Sequence, residues 1–253
     1  MRGTLSGVAV LAIDTSAAVA VSLCDDDGAL LAARRVDSQR EHAELLAPMV
    51  RDVLAEAGLA PADLVAVVAG TGPAPFTGLR AGLVTARMIA LAREVPLHGV
   101  SALDALAAQV LLADDGASAS RGAVPADDAA SAGDLAGAGK ASEVLVVTDA
   151  RRREVYAARF RVADGDVVTV AGPFVDKPDV VAEGAGGAVV VGAGAALYPE
   201  VFPEARGPLV PDPAVLARLA ITRASRGADQ PAEPLYLRRP DVTPAAGRKR
   251  ATA

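Results

Sequence analysis

Apolar positions in the first hundred residues arrive in short blocks cut by turn residues. Residues 8–14 (VAVLAID), 18–24 (AVAVSLC) and 29–36 are three such runs, parted by Asp14-Thr15-Ser16 and by Asp25-Asp26-Asp27-Gly28. Runs of this length with turn chemistry between them predict an antiparallel three-strand meander. Ser38 and Glu41 then have the spacing of a capping box, in which each side chain satisfies a free backbone donor of the other. Behind them Leu45, Leu46, Met49, Val50, Val53 and Leu54 recur at helical spacing until Gly58, a natural stop. Pro48 falls inside that pattern and either kinks the helix or delays its start. A strand over 64–69, a helix over 76–93, a short strand over 96–100 and a helix over 102–112 complete an α/β succession.

The pattern breaks over 113–142, where Ala, Gly, Asp and Ser replace large apolar residues. Such a segment cannot bury enough surface to order itself and is expected to be a flexible insertion. Strands are predicted again over 143–149, 154–162, 167–170 and 188–191, and a helix over 213–224. The expected organisation is therefore an N-terminal unit over 1–112, the insertion, a smaller α/β unit over 143–240, and a disordered tail over 241–253.

Composition narrows the function. The 253 residues carry a formal net charge of −6, only 3% aromatics and no Trp, which argues against stacking platforms and against holding nucleic acid by bulk phosphate neutralisation. Contact with nucleic acid would have to be local or made through a partner. A single cysteine, Cys24, excludes an internal disulfide and points to a reducing compartment. The apolar run at 8–13 stops at Asp14, short of a membrane span or a signal core, so a cytoplasmic chain is expected.

The stretch 70–82, GTGPAPFTGLRAG, joins strand to helix and is a natural place to look for a phosphate. It lacks the Lys-Ser/Thr that ends a P-loop and the third glycine of a dinucleotide fingerprint. In the helix that follows, Gly78, Gly82, Ala86 and Ala90 fall four apart and leave one face almost bare. That face admits either the chain's own sheet or a partner's helix. Asp14-Thr15-Ser16 and Asp149-Ala150-Arg151 sit where actin-like ATPases carry glycine-containing phosphate turns, but neither has the glycine. His42 and His98 lie on different elements with no metal-ligand spacing, and no Gly-x-Ser-x-Gly turn is present. Asp149 with Arg151, Arg152, Arg153 and Glu154 is the densest charged cluster, readable as a solvated turn or as a site.

Taken together, LAIDTSAAVAVSL (11–23), HAELLAPMV (42–50), GTGPAPFTGLRAGLVTARMIA (70–90), PLHGVSALDALA (96–107), DARRREVYAARF (149–160) and YLRRP (236–240) resemble the TsaB (YeaZ) family over nearly the whole chain. The resemblance implies an actin-like (ASKHA) fold of two related subdomains, the second reduced. It also implies a subunit with no catalytic residues and no metal site of its own, acting in transfer of a threonylcarbamoyl group to the adenosine beside the tRNA anticodon. The implied partners are a TsaD homologue and the ATPase TsaE, with a homodimer as an alternative, tRNA met only through the complex, and no membrane. ATP and a metal are expected in TsaD, with no cofactor bound by this chain. Carried over residue by residue, the partner face comprises Leu45, Leu46, Met49, Val50 and Val53 on one helix and Gly78, Gly82 and Ala86 on the next, with Arg80 at its rim. Asp14, Thr15 and Ser16 form a degenerate phosphate loop. Gly82→Leu and Val50→Glu are expected to break pairing with the fold intact. The chain departs from the family at Ala74, where a glycine is usual, and in its 113–142 insertion. An active ASKHA-type ATPase or phosphotransferase is the rival reading.

Overall fold

The computed structural model describes residues 9–38, 42–112 and 142–238. Residues 39–41 of the capping box, nearly all of the 113–142 insertion and the 241–253 tail lie outside the described residues.

Strands β1 (Ala9–Asp14), β2 (Val19–Asp25) and β3 (Leu30–Val36) form the antiparallel meander that the apolar blocks predict. Helix α1 (His42–Ala57) leads to β4 (Leu64–Gly70), which returns parallel to β1. Pro48 does not delay the helix, which begins six residues before it. Helix α2 (Phe76–Arg93), strand β5 (Leu97–Val100) and helix α3 (Ala102–Leu111) complete the first half, whose sheet order is β3-β2-β1-β4-β5. The second half repeats the winding: β6 (Glu143–Asp149), β7 (Val155–Ala163) and β8 (Asp166–Asp176) are antiparallel. Helix α4 (Pro178–Glu183) then leads to β9 (Val189–Val191), parallel to β6, in the order β8-β7-β6-β9. Helices α5 (Ala193–Ala196) and α6 (Pro213–Ser225) follow.

Strand β8 runs well beyond the expected 167–170 because Pro173 does not end it. It is an edge strand, and a proline there need not forfeit a ladder hydrogen bond. The short helices α4 and α5 carry too few residues for a helical period to appear in the sequence.

Alternation along the strands sorts the core into layers. Leu11 and Ile13 point toward α1 and α2, and Val10 and Ala12 toward α6 and α3. Val144 and Val146 join that second cluster from the other sheet, while Leu145 and Val147 face α4 and α5. The two sheets therefore share one core through α3 and α6. An ion-pair clasp reinforces it: Arg223 of α6 meets Asp104 of α3 (2.9 Å) and donates to both oxygens of Asp166 of β8 (2.9 and 3.0 Å).

Candidate functional site

Three features meet around the strand ends of the two sheets: a sealed turn after β1, an open turn after β6, and the helical face of α1 and α2. Asp14, Thr15 and Ser16 make the first turn. Asp14 is buried, and its Oδ1 accepts from the Ser16 backbone N–H (3.0 Å) and hydroxyl (2.7 Å). Burial pushes its carboxyl up to about 6, while the two Ser16 hydrogen bonds pull it back. Its Oδ2 is buried without a hydrogen-bond partner among the described residues and lies over Gly70, where any Cβ would overlap it. The Thr15 hydroxyl donates to the carbonyl of Gly78 (2.9 Å), and a Cβ at Gly82 would overlap that hydroxyl.

These contacts answer what the glycines of 70–82 are for. Gly70 and Gly82 make room for Asp14 and Thr15. Gly72, at φ +85°, is in the left-handed region open to glycine, and its carbonyl accepts from the Ser101 hydroxyl (3.1 Å) and the Ala102 N–H (2.8 Å) at the start of α3. The bare row of α2 is thus spent inside the molecule: Ala86 and Ala90 continue it into the core of the first half.

Helices α1 and α2 pack on one face of the first sheet and touch each other. Leu46, Met49, Val53, Gly82 and Ala86 are buried beneath the surface assigned to a partner, so they support that face without presenting it. Leu45, Val50 and Gly78 are half-buried. Arg80 is exposed, and its Nε donates to the Tyr236 hydroxyl (2.9 Å) with the guanidinium 5.9 Å from the ring centroid. Gly82→Leu would overlap Thr15 and so cannot leave the fold intact, contrary to expectation. What reaches solvent instead is Val84, Met88 and Leu91, at 60, 57 and 70% exposure, one turn apart along α2. A helix apolar on both faces carries the signal for this row in its sequence, but periodicity alone does not say which face is inside.

The second turn, over 149–154, is built differently. Arg151, Arg152 and Arg153 all have positive φ (63, 56 and 61°), a conformation that costs a non-glycine residue roughly 1–2 kcal/mol. Several bonds hold it. Asp149 Oδ1 accepts from the Arg151 N–H (2.7 Å), and the Glu154 N–H donates to the Arg151 carbonyl (3.0 Å). Arg151 pairs with Asp149 Oδ2 at 3.1 Å. Arg238 donates to the Ala150 carbonyl (3.0 Å) and pairs with the Glu154 carboxylate.

Arg238 arrives on an extended strap that leaves α6 and crosses the first half. The Gly99 N–H donates to the Gln230 carbonyl (2.9 Å), Arg87 to the Ala232 carbonyl (3.2 Å), and the Leu235 N–H to the Thr71 carbonyl (2.8 Å). Gly99 has no side chain because Pro231 lies against it. The strap ties the loop beside the first turn to the second turn. Sequence reading registered YLRRP only as a resemblance and did not see this role.

Cys24 is buried with its thiol pushed up to about 12 by burial, as befits core packing. Among the described residues no three His, Cys, Asp or Glu side chains gather in a way that could hold a metal, and no helix is long and apolar enough to cross a membrane.

Comparison with known proteins places this geometry. A family model described as TsaD, tRNA N6-adenosine threonylcarbamoyltransferase, matches residues 36–125. An uncharacterized protein of Mycobacterium tuberculosis is 39% identical over 94% of this chain and 95% of its own length. The tRNA threonylcarbamoyladenosine biosynthesis protein TsaB of Escherichia coli is 31% identical over 90% of this chain and 94% of its own. YeaZ from Pseudomonas aeruginosa superposes with a TM-score of 0.69 at 29% identity, covering 91% of this chain and all of that one. The fold is the actin-like (ASKHA) α/β fold.

Proposed function

The chain belongs to the TsaB family, and from that premise we propose that it is a non-catalytic subunit that pairs with a TsaD homologue. The pair would serve threonylcarbamoyl transfer to the adenosine beside the tRNA anticodon. The observation that carries the pairing is the exposed apolar row Val84, Met88 and Leu91 on α2. Fully burying one such side chain is worth about 1.5–3 kcal/mol, and a row of three is a costly thing to leave in water. The row lies within the segment that the TsaD family model matches. A partner built on the same segment presents an equivalent helix pair, so the two faces can meet across a pseudo-twofold axis. The same geometry permits a homodimer when the partner is absent.

The first turn supports assigning ATP and a metal to TsaD rather than to this chain. Its two hydroxyls and Asp14 Oδ1 are bonded to the protein, and no glycine opens the backbone between Thr15 and Ala18 toward a phosphate. TsaE is expected to act on the assembled pair in the cytoplasm.

Co-expression with a TsaD homologue tests the reading. The wild-type chain is expected to co-elute with it, and the double substitution Val84→Glu/Met88→Glu to abolish co-elution while leaving the thermal transition unchanged. A wild-type chain that fails to associate would overturn the proposal.

A further inference from the structure

The strap that leaves α6 runs along the same helix that carries the exposed apolar row. We propose that this strap is a third wall of the docking surface, beside α1 and α2, and that a partner seated on α2 covers Tyr236 and clamps the strap. The identity of that partner, a TsaD homologue, rests on the pairing proposed above.

Three observations carry it. First, two anchors fix the course of the strap on α2. Arg87 donates to the Ala232 carbonyl (3.2 Å) and Arg80 to the Tyr236 hydroxyl (2.9 Å). Seven helical residues span about 10 Å and four extended ones about 13 Å, so the strap lies antiparallel along about two turns of α2. Second, the apolar row lies beside that track. At about 100° per residue, Arg87 and Arg80 point within about 20° of each other, Leu91 and Val84 stand within about 40° of Arg80, and Met88 follows at about 80°. All five side chains are exposed. A partner helix about 10 Å across cannot cover Val84 and Leu91 without meeting the strap. Third, the strap presents an aromatic ring there. Tyr236 is 41% exposed, and Arg80 holds it by the hydroxyl and from 5.9 Å over the ring centroid. Tyrosine and arginine are enriched among the side chains that anchor interfaces, and a ring fixed before docking loses little freedom on being covered.

The partner that fits is a helix pair whose apolar side chains meet Val84, Met88 and Leu91 and extend to Tyr236. Its docking would also be felt across the molecule. Two residues past Tyr236, Arg238 donates to the Ala150 carbonyl (3.0 Å) and pairs with Glu154 at the turn of the second sheet. A partner that clamps the strap against the first half therefore restrains that turn as well.

The test is hydrogen exchange of the full chain, alone and in complex with the TsaD homologue. Amides over 232–238 and 149–154 are expected to exchange about tenfold more slowly in the complex. Unchanged exchange over 232–238 in an associated complex would overturn the proposal and leave the pairing standing. Absence of any association would overturn both. Slowing that follows the concentration of this chain without TsaD would assign the wall to a second copy and overturn it too. Affinity gives a second readout. Tyr236→Ala is expected to weaken the complex about tenfold, and Tyr236→Phe, which keeps the ring, by less than about threefold. Equal affinities for wild type and Tyr236→Ala would count against the wall in the same way. If Tyr236→Ala does not fold, the exchange of the wild-type chain still decides.

Discussion

Two turns leave the same strand of two similarly wound halves and end up in opposite states. The one after β1 is closed: Asp14 Oδ1 and the Thr15 and Ser16 hydroxyls are spent on each other and on α2, and glycines at 70 and 82 make the space. The one after β6 is open, carries no glycine where three successive φ angles are positive, and sends its side chains to solvent. A common strand order therefore fixes where a turn sits without fixing what it faces. The closed turn serves the join between β1, β4 and α2. The open turn is held by Asp149, Glu154 and the Arg238 strap.

The largest effect expected from the closed turn is a dependence of stability on pH. Folding lifts the Asp14 carboxyl from 3.8 to about 6, so the folded chain holds a proton that the unfolded chain has released. The associated stability is present below about pH 4 and is lost as pH rises through about 6, by about 3 kcal/mol in all. Urea melts of wild type and Asp14→Asn between pH 4 and 7.5 should diverge by that amount, with the variant relatively better at high pH. Asp104, raised by burial, tilts the curve the same way, and His98, lowered by burial, tilts it the other way. Both are present in each protein, so the difference isolates Asp14. A pH-independent gap would mean that the turn is not sealed.

A somewhat smaller effect tests whether Gly82 exists for Thr15. Gly82→Ala places a methyl on the Thr15 hydroxyl and is expected to cost about 2 kcal/mol, a usual penalty for overpacking. Thr15→Ala alone forfeits the hydrogen bond to Gly78, worth about 1 kcal/mol. Together they should cost less than their sum, with a coupling of about 1 kcal/mol in a double-mutant cycle. Additive losses would show that the two residues do not compete for one space.

Much of this frame was legible in the sequence because it rests on short-range signals. Apolar blocks and their turn residues placed eight of the nine strands among the described residues to within about two residues of their ends, and Gly58 marked the stop of α1. Strand β8 outran its prediction because whether Pro173 interrupts a strand depends on edge position, which is a tertiary fact. Which side chains of α1 and α2 reach their outer surface was not legible for a related reason. Leu46, Met49 and Val53 read as an apolar stripe whether the stripe meets a partner or the chain's own sheet, and only packing distinguishes them. The closed turn was visible as missing glycines, but its cause was not, because Asp14 and Gly70 meet across 56 residues. The strap was least legible: an extended segment held by backbone bonds and three arginines, Arg80, Arg87 and Arg238, has no periodicity to read.

The smallest effect runs opposite in sign and separates the two turns most cleanly. Adding a methyl at Gly82 should destabilise the closed turn, whereas removing the side chain of Arg153 should relieve the open one. Arg153→Gly replaces a residue at φ 61° with one that adopts that angle without strain. The gain of roughly 1–2 kcal/mol is partly offset by the greater freedom of glycine in the unfolded chain, leaving a net stabilisation of about 0.5–1 kcal/mol. Thermal melts of the variant and of wild type then read the strain directly. Higher stability would show that the open turn carries strain at Arg153. Lower stability would mean that the Arg153 side chain helps hold the turn in place, as the closed turn is held by Thr15.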